Sequence, residues 1–259
     1  MKNRITTLFE KKKEGILSVF YTAGFPTLTD TLPIATHLEA AGVDMIEIGI
    51  PFSDPVADGP VIQASNKVAL DNGMTVPLLL EQVREIRKKV NFPIVLMGYL
   101  NPVYQYGVER FIRDAKAAGA DGLILPDMPL KEFEKNYAAL MEEVGLCMSF
   151  LLTPTTSEDR IQKIDALSSG FVYAVSASST TGTKKDFSTQ QEHYFQRLKS
   201  LNLHHPHLIG FGISDRETFA TACKYGAGAI IGSAFINRLN QSSQLEKDIP
   251  TFIKGILKN

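Results

Sequence analysis

The chain has 259 residues, 44% of them hydrophobic and 21% charged. That composition excludes a disordered or fibrous protein and supplies enough apolar surface for a full core. Lys and Arg total 27 against 28 Asp and Glu, a formal charge of -1, so the basic footprint of a general nucleic-acid binder is missing and any phosphate must be held locally.

Taken in chain order, an N-terminal helix that carries Lys2 and Arg4 but no apolar leader precedes a first apolar run at 17–21. Further runs follow at 45–48, 93–97, 123–125, 146–151, 171–175, 207–211 and 229–231. Ala40-Ala41-Gly42-Val43-Asp44 stands before the second run and Ala117-Ala118-Gly119-Ala120-Asp121 before the fourth. Gly145, Gly170 and Tyr225-Gly226-Ala227-Gly228 repeat the device before the fifth, sixth and eighth. Each predicts a helix stopped by Gly, which takes positive φ without a Cβ penalty, and then a strand covered on both faces.

The intervening segments have helical spacing. Leu79, Val83, Ile86 and Val90 share one face, as do Phe133, Tyr137, Leu140, Met141 and Val144, and later Ile249, Phe252, Ile253 and Ile256. Eight strand–helix units of roughly 30 residues each are the arithmetic of an α/β protein with a (β/α)8 TIM barrel. Strand count alone leaves an open doubly wound sheet as the alternative. No Pro/Gly/Ser linker divides the chain, which predicts a single domain over residues 1–259. No apolar run approaches the roughly 20 residues of a membrane span, and the expectation is a soluble cytoplasmic protein without membrane contact. Cys147 and Cys223 lie in apolar segments without metal-ligand spacing and read as buried free thiols.

In a barrel of this kind the site lies at the carboxyl ends of the strands. The second strand, Met45-Ile46-Glu47-Ile48-Gly49-Ile50, sets a carboxylate among apolar residues. By alternation Glu47 faces opposite to Ile46 and Ile48, so it either points into the barrel mouth or is paired to a cation under the helices. The loop after it, Pro51-Phe52-Ser53-Asp54-Pro55-Val56-Ala57-Asp58-Gly59-Pro60, is rigid and acidic. Asp54 and Asp58 each read as a turn or helix-capping residue, or as a carboxylate over the active face. A buried Glu tuned upward and an ionised Asp would suit opposed proton-transfer roles.

Two small-residue corners follow the last strands: Gly210-Phe211-Gly212-Ile213-Ser214 and Gly232-Ser233-Ala234-Phe235. Glycines let backbone N–H groups approach an anion, and a helix starting at Ser233 would aim its positive end there. Residues 176–186 form a long, polar, small-residue loop that reads either as a disordered surface connection or as a lid over substrate, with Lys184 and Lys185 at a solvated tip. His37, His193, His204, His205 and His207 read as structural or surface groups, since no carboxylate recurs at ligand spacing.

At these residues the chain resembles the tryptophan synthase α chain family. Residues 47–63 match that family's signature almost position for position, and Phe20-Tyr21-Thr22-Ala23-Gly24-Phe25-Pro26, Met97-Gly98-Tyr99-Leu100-Asn101-Pro102 and Pro126-Asp127-Met128-Pro129 follow in order. The resemblance implies a TIM barrel that cleaves indole-3-glycerol phosphate to indole and glyceraldehyde 3-phosphate, with no metal or organic cofactor in this chain. It implies Glu47 as the proton shuttle and Asp58 as acceptor of the indole N–H. It also implies Phe20, Tyr99, Leu100, Leu125 and Phe211 as indole walls, Tyr173 as a positioning group, and Gly182, Gly212, Gly232 and Ser233 as phosphate contacts. Thr181 would anchor the lid to Asp58; Ala177 and Ser179 stand where many members carry Arg and Gly.

The family further implies a pyridoxal-phosphate β chain in an αββα complex that receives indole through a tunnel. An apolar rim of Pro51, Phe52, Pro55, Asn101, Pro102, Val103, Tyr104, Met128, Pro129 and Leu130 is the expected docking face. A Schiff-base aldolase on the same fold would want a Lys on a central strand, and the eight runs offer none. A catalytically idle docking subunit is the other alternative, against which both Glu47 and Asp58 stand.

Overall fold

The computed structural model describes residues 2–175, 189–210 and 212–257. Its strands are β1 (Ile16–Thr22), β2 (Met45–Gly49), β3 (Ile94–Met97), β4 (Gly122–Ile124), β5 (Cys147–Met148), β6 (Leu151–Leu152), β7 (Val172–Val175), β8 (His207–Gly210) and β9 (Gly228–Ile231). All pairings are parallel, in the order β5-β4-β3-β2-β1-β9-β8-β7-β6. β5 and β6 stand at opposite ends of that order, yet only Ser149 and Phe150 separate them in the chain. The sheet therefore closes on itself as a barrel, and the open doubly wound alternative is excluded.

The run predicted as one strand at 146–151 is thus a single barrel strand in two pieces. The Ser149 N–H donates to the Leu123 carbonyl at 3.0 Å, and the Phe150 carbonyl accepts from the Tyr173 N–H at 3.0 Å, so the ladder changes partner without losing its bonds. A second difference concerns the face from Phe133 to Val144. It belongs to two short helices, Leu130–Asn136 and Ala138–Val144, with Tyr137 between them at φ -126. Apolar spacing alone does not register such a break.

Strand alternation builds two cores. Leu17, Val19, Ile46, Ile48, Leu96 and Leu123 point outward to the helices. Ile16, Met45, Val95, Ile124, Cys147, Tyr173, Leu208 and Ile230 fill the barrel. The helix Val76–Arg87 buries Leu79, Leu80, Val83 and Ile86, and Leu245–Leu257 buries Ile249, Ile253 and Ile256. Gly119 and Gly145 take the left-handed conformation just past their helices. Gly226 differs: it is extended at φ -129, and its lack of a side chain serves space, since a Cβ there would lie 2.9 Å from the His207 carbonyl.

The lower end of the barrel is sealed. Asn3 caps the helix Arg4–Lys11, which drives the fully buried Ile5 and the nearly buried Phe9 into the inner core. Room for Ile5 comes from Gly122 and Gly170, where a Cβ would lie 2.8 and 2.7 Å from its side chain. Beside this plug, buried Asp121 accepts from Arg4 at 3.2 Å, Arg87 at 2.8 Å and the Ile94 N–H at 3.0 Å. Cys147 is buried as expected, but Cys223 is only half-buried. Among the described residues no helix is long and apolar enough to cross a membrane.

The plug has a measurable consequence. Ile5→Ala is expected to lower the unfolding free energy by about 2–5 kcal/mol in urea titrations, because a cavity framed by β-strand backbone cannot collapse. A loss below about 1 kcal/mol would show that the helix merely rests on the barrel.

Candidate active site

Between the inner Met45 and the mouth, β2 carries Glu47, which is fully buried. The Ser18 Oγ donates to Oε1 at 2.8 Å, while Oε2 has no hydrogen-bond partner among the described residues. None of the ion pairs found there involves Glu47. The reading of a carboxylate neutralised under the helices is therefore set aside. Burial pushes the Glu47 carboxyl up to about 8, with the Ser18 hydrogen bond pulling the other way. At neutral pH the group is mostly a neutral acid.

Asp58 sits two residues before the helix Pro60–Asp71, whose N-cap is Gly59, and no side chain caps that helix end. Its backbone is fixed by an N–H donated to the Pro55 carbonyl at 3.0 Å and a carbonyl that accepts from Gln63 at 2.9 Å. The Tyr99 hydroxyl spans from the end of β3 to this loop, donating to Asp58 Oδ2 at 3.2 Å and accepting the Ala57 N–H at 3.0 Å. Phe52 packs on the Tyr99 ring with centroids 5.4 Å apart. Burial raises the Asp58 carboxyl to about 6, opposed by the Tyr99 hydrogen bond. Asp54, by contrast, is exposed and takes a hydrogen bond from the adjacent Ser53, a local turn contact.

Tyr173 lies in the inner core, where a Cβ on Gly210 would come within 2.1 Å of its hydroxyl, so that glycine makes its space. Burial first, then the charges of Glu47 and Asp58, hold its phenol well above the usual range. Phe20 stands at the mouth, its ring 2.7 Å from where a Cβ on Gly49 would be and 3.7 Å from one on Gly232.

Of the expected indole walls Leu125 lies elsewhere, whereas Leu100, like Phe20, is a partly buried residue packed against the outer core. Leu125 belongs to the outer core, and the inward residue of that strand is Ile124. Leu100 packs against the outer core, its N–H donated to Asp127 at 2.8 and 3.0 Å, whereas Met97 packs against the inner cluster. Leu151 at the far wall also faces inward. Strict alternation from Val95 carries the signal for Met97, and alternation with the outward Leu123 and Leu125 carries it for Ile124.

Of the phosphate corner, Gly212 has φ 77 and is exposed, and Gly232 is the N-cap of the helix Ser233–Asn240 with no side-chain capping bond. Thr181, Gly182, Phe211 and the lid segment 176–186 lie outside the described residues. Among the described residues no group of three His, Cys, Asp or Glu is arranged to hold a metal; His205 faces Asp165, and His207 meets the Tyr225 carbonyl.

The apolar rim is also corrected. Pro51, Pro55, Val103, Met128 and Leu130 are buried in the chain's own core. Of the expected rim, Asn101, Tyr104 at 68% exposure and Pro129 remain in solvent, and Val56 beside them is 87% exposed. A cavity of about 410 Å³ opens behind the rim, lined by Pro51, Phe52, Leu70, Met74, Pro102 and Tyr106. One of about 420 Å³, lined by Phe9, Lys13, Gly170 and His205, lies at the plugged pole, far from the two carboxyls.

The family model for the tryptophan synthase alpha chain matches residues 7–254. The chain belongs to the tryptophan synthase alpha chain family. It is 51% identical over 254 residues to the tryptophan synthase alpha chain of Parabacteroides distasonis, covering 98% of this chain and 99% of that one. The Flavobacterium johnsoniae alpha chain is 52% identical over 240 residues, covering 93% and 94%. The solved tryptophan synthase subunit alpha from Legionella pneumophila superposes with a TM-score of 0.89 at 32% identity, covering 99% of this chain and 97% of its own. Tryptophan synthase alpha chains are lyases on a TIM barrel, and this chain is one of them.

The buried acid has a cost that titration exposes. Glu47 binds its proton up to about pH 8 when folded and only to its ordinary value of 4.5 when unfolded. Stability is therefore lost as pH rises from 4.5 toward 8 and is flat beyond. Glu47→Gln, which cannot ionise, is expected to match the native chain in urea near pH 4.5 and to exceed it by a kcal/mol or more at pH 8. An equal margin at both pH values would mean that Glu47 ionises without penalty.

Proposed function

We propose that Glu47 and Asp58 divide the chemistry of this lyase, the retro-aldol cleavage of indole-3-glycerol phosphate to indole and glyceraldehyde 3-phosphate, after which the alpha subunit passes indole to a β subunit. The observation that carries this reading is a neutral, fully buried acid with one oxygen unpartnered among the described residues, set in the same barrel as a carboxylate braced by Tyr99.

The reaction needs a proton on the ring carbon that bears the glycerol phosphate, because that carbon must leave as neutral indole. Glu47 supplies it; the ring's enamine pair takes the proton and positive charge appears on the ring nitrogen. Asp58 accepts the indole N–H and stabilises that charge. Glu47, now a carboxylate, removes the proton of the adjacent hydroxyl. The O–H pair becomes the aldehyde C=O, and the breaking C–C bond returns its electrons to the ring. Proton transfer and charge stabilisation suffice, so this chain calls for neither metal nor organic cofactor.

Phe20, Leu100 and Tyr173 supply walls for the indole, joined by Met97, Ile124 and Leu151, with Ile124 in place of Leu125. Gly212, Gly232 and Ser233 receive the phosphate through backbone N–H groups at the start of the helix Ser233–Asn240. Thr181, Gly182 and Phe211 belong to this proposal by family likeness. Glu47→Gln is expected to lower kcat by about a thousandfold while substrate still binds, and Asp58→Asn by about a hundredfold, as general acid catalysis and charge stabilisation are lost. Indole release followed spectroscopically checks both; near-normal turnover in Glu47→Gln would remove it from the chemistry.

The partner is a pyridoxal-phosphate β chain in an αββα assembly, docking on the loops after β2, β3 and β4. Support comes from Val56 and Tyr104, large apolar groups left in solvent beside the active face. Docking biases the Asp58 loop toward its working arrangement and so raises the lyase rate without adding catalytic groups. Tyr104→Asp is expected to raise the β-chain concentration for half-maximal activation by about tenfold. An unchanged titration would move the interface elsewhere.

A further inference from the structure

We propose that Ser18 is the positioning residue of this active site, a hydroxyl that holds Glu47 Oε1 and so assigns Oε2 as the oxygen that carries the transferable proton. The inference rests on the reading of Glu47 as the acid and base of the reaction.

Alternation along β1 turns Ser18 inward, since Leu17 and Val19 face the outer core. Its register partner is Met45, and Glu47 pairs with Phe20, so Ser18 lies one inward step deeper than Glu47 on the neighbouring strand. It is fully buried beneath the carboxyl. A hydroxyl at that depth, near Ile16 and Met45, is costly unless bonded, and a position that only needed volume would take Ala or Val. Its bond goes to Glu47 Oε1 at 2.8 Å. The two carboxyl oxygens are thereby made unequal: one is held from below, and the other has no partner among the described residues.

In the neutral acid the Ser18 O–H donates to the carbonyl-like Oε1, which leaves the acidic hydrogen on Oε2. After that hydrogen moves to the ring carbon, the same donor stabilises the carboxylate until Oε2 takes the hydroxyl proton of the cleaving bond. Without Ser18 the carboxyl turns about its last bond and presents either oxygen, and the ionised form loses its donor. Among the described residues the titratable group that faces Glu47 is Tyr173 from β7, whose phenol also feels the charge of Asp58 from the mouth loop. On β1 and β3 the inward neighbours are Ser18, Phe20, Val95 and Met97, none of which titrates. Asp58 lies lower than Glu47 and Tyr173 well above it, so the alkaline limb of the rate profile belongs to Glu47.

The test is the pH dependence of kcat/KM for indole-3-glycerol phosphate with the full chain, in the native protein, Ser18→Ala and Ser18→Thr. Ser18→Ala is expected to lose about tenfold in kcat with KM within about twofold, and its alkaline limb should move to higher pH because the charged form has lost a donor. Ser18→Thr, which keeps the hydroxyl, should hold the limb at the native position. A limb that stays put in Ser18→Ala overturns the proposal, whether or not the rate falls. Infrared difference spectra give the second readout: the protonated Glu47 C=O band, identified by its absence in Glu47→Gln, should rise in frequency in Ser18→Ala, and an unmoved band overturns the assignment. If Glu47→Gln itself turned over, the acid–base reading would fail first; a dead Glu47→Gln with an unmoved Ser18→Ala limb removes only the positioning role.

Discussion

A carboxyl group inside an apolar barrel is the constraint on which this molecule turns. Water would stabilise the charged form of Glu47, and the interior built by Met45, Val95, Ile124 and Ile230 does not. No ion pair among the described residues reaches it, so the group keeps its proton instead of its charge. Native stability is spent on a neutral acid, a trade common where activity needs a strained or desolvated group.

The second carboxyl differs by environment and not by chemistry. Asp58 is only half-buried and has the Tyr99 hydroxyl to accept from, which leaves it ionised at a pH where Glu47 is not. Separation of two like groups into a neutral carboxyl and an ionised one needs no metal and no exotic residue, only unequal desolvation and one hydrogen bond apiece. Ser18 and Tyr99 make those bonds from β1 and from the end of β3, the strands on either side of β2. The site is therefore braced from both flanks of the strand that carries Glu47.

The opposite pole carries the complementary burden. Ile5 and Phe9 close the barrel from below, and Asp121 ties the N-terminal helix, the helix Val76–Arg87 and the start of β3 into one network. Its carboxyl group is engaged by guanidinium and amide donors, the reverse of the Glu47 case. Packing at this end leaves the mouth free for polar groups that contribute little to stability.

Local physics made much of this legible in the sequence. Gly-stopped helices and short apolar runs determined eight strand–helix units, though not their closure into a barrel, and period-two alternation turned Glu47 away from Ile46 and Ile48. The prolines of residues 51–60 marked a stiff loop under Asp58. These signals depend on neighbours within a few residues, which is why they survive without the fold. Tertiary structure decided what depends on residues far apart in the chain: the split of the fifth strand between two partners, the outward phase of Leu125 and inward phase of Ile124, and the burial of Pro51, Val103 and Met128 beneath a rim expected to be open. It also decided which oxygen of Glu47 is held. Ser18 is 29 residues away from Glu47 in sequence and is brought beneath it only by the parallel register of β1 on β2.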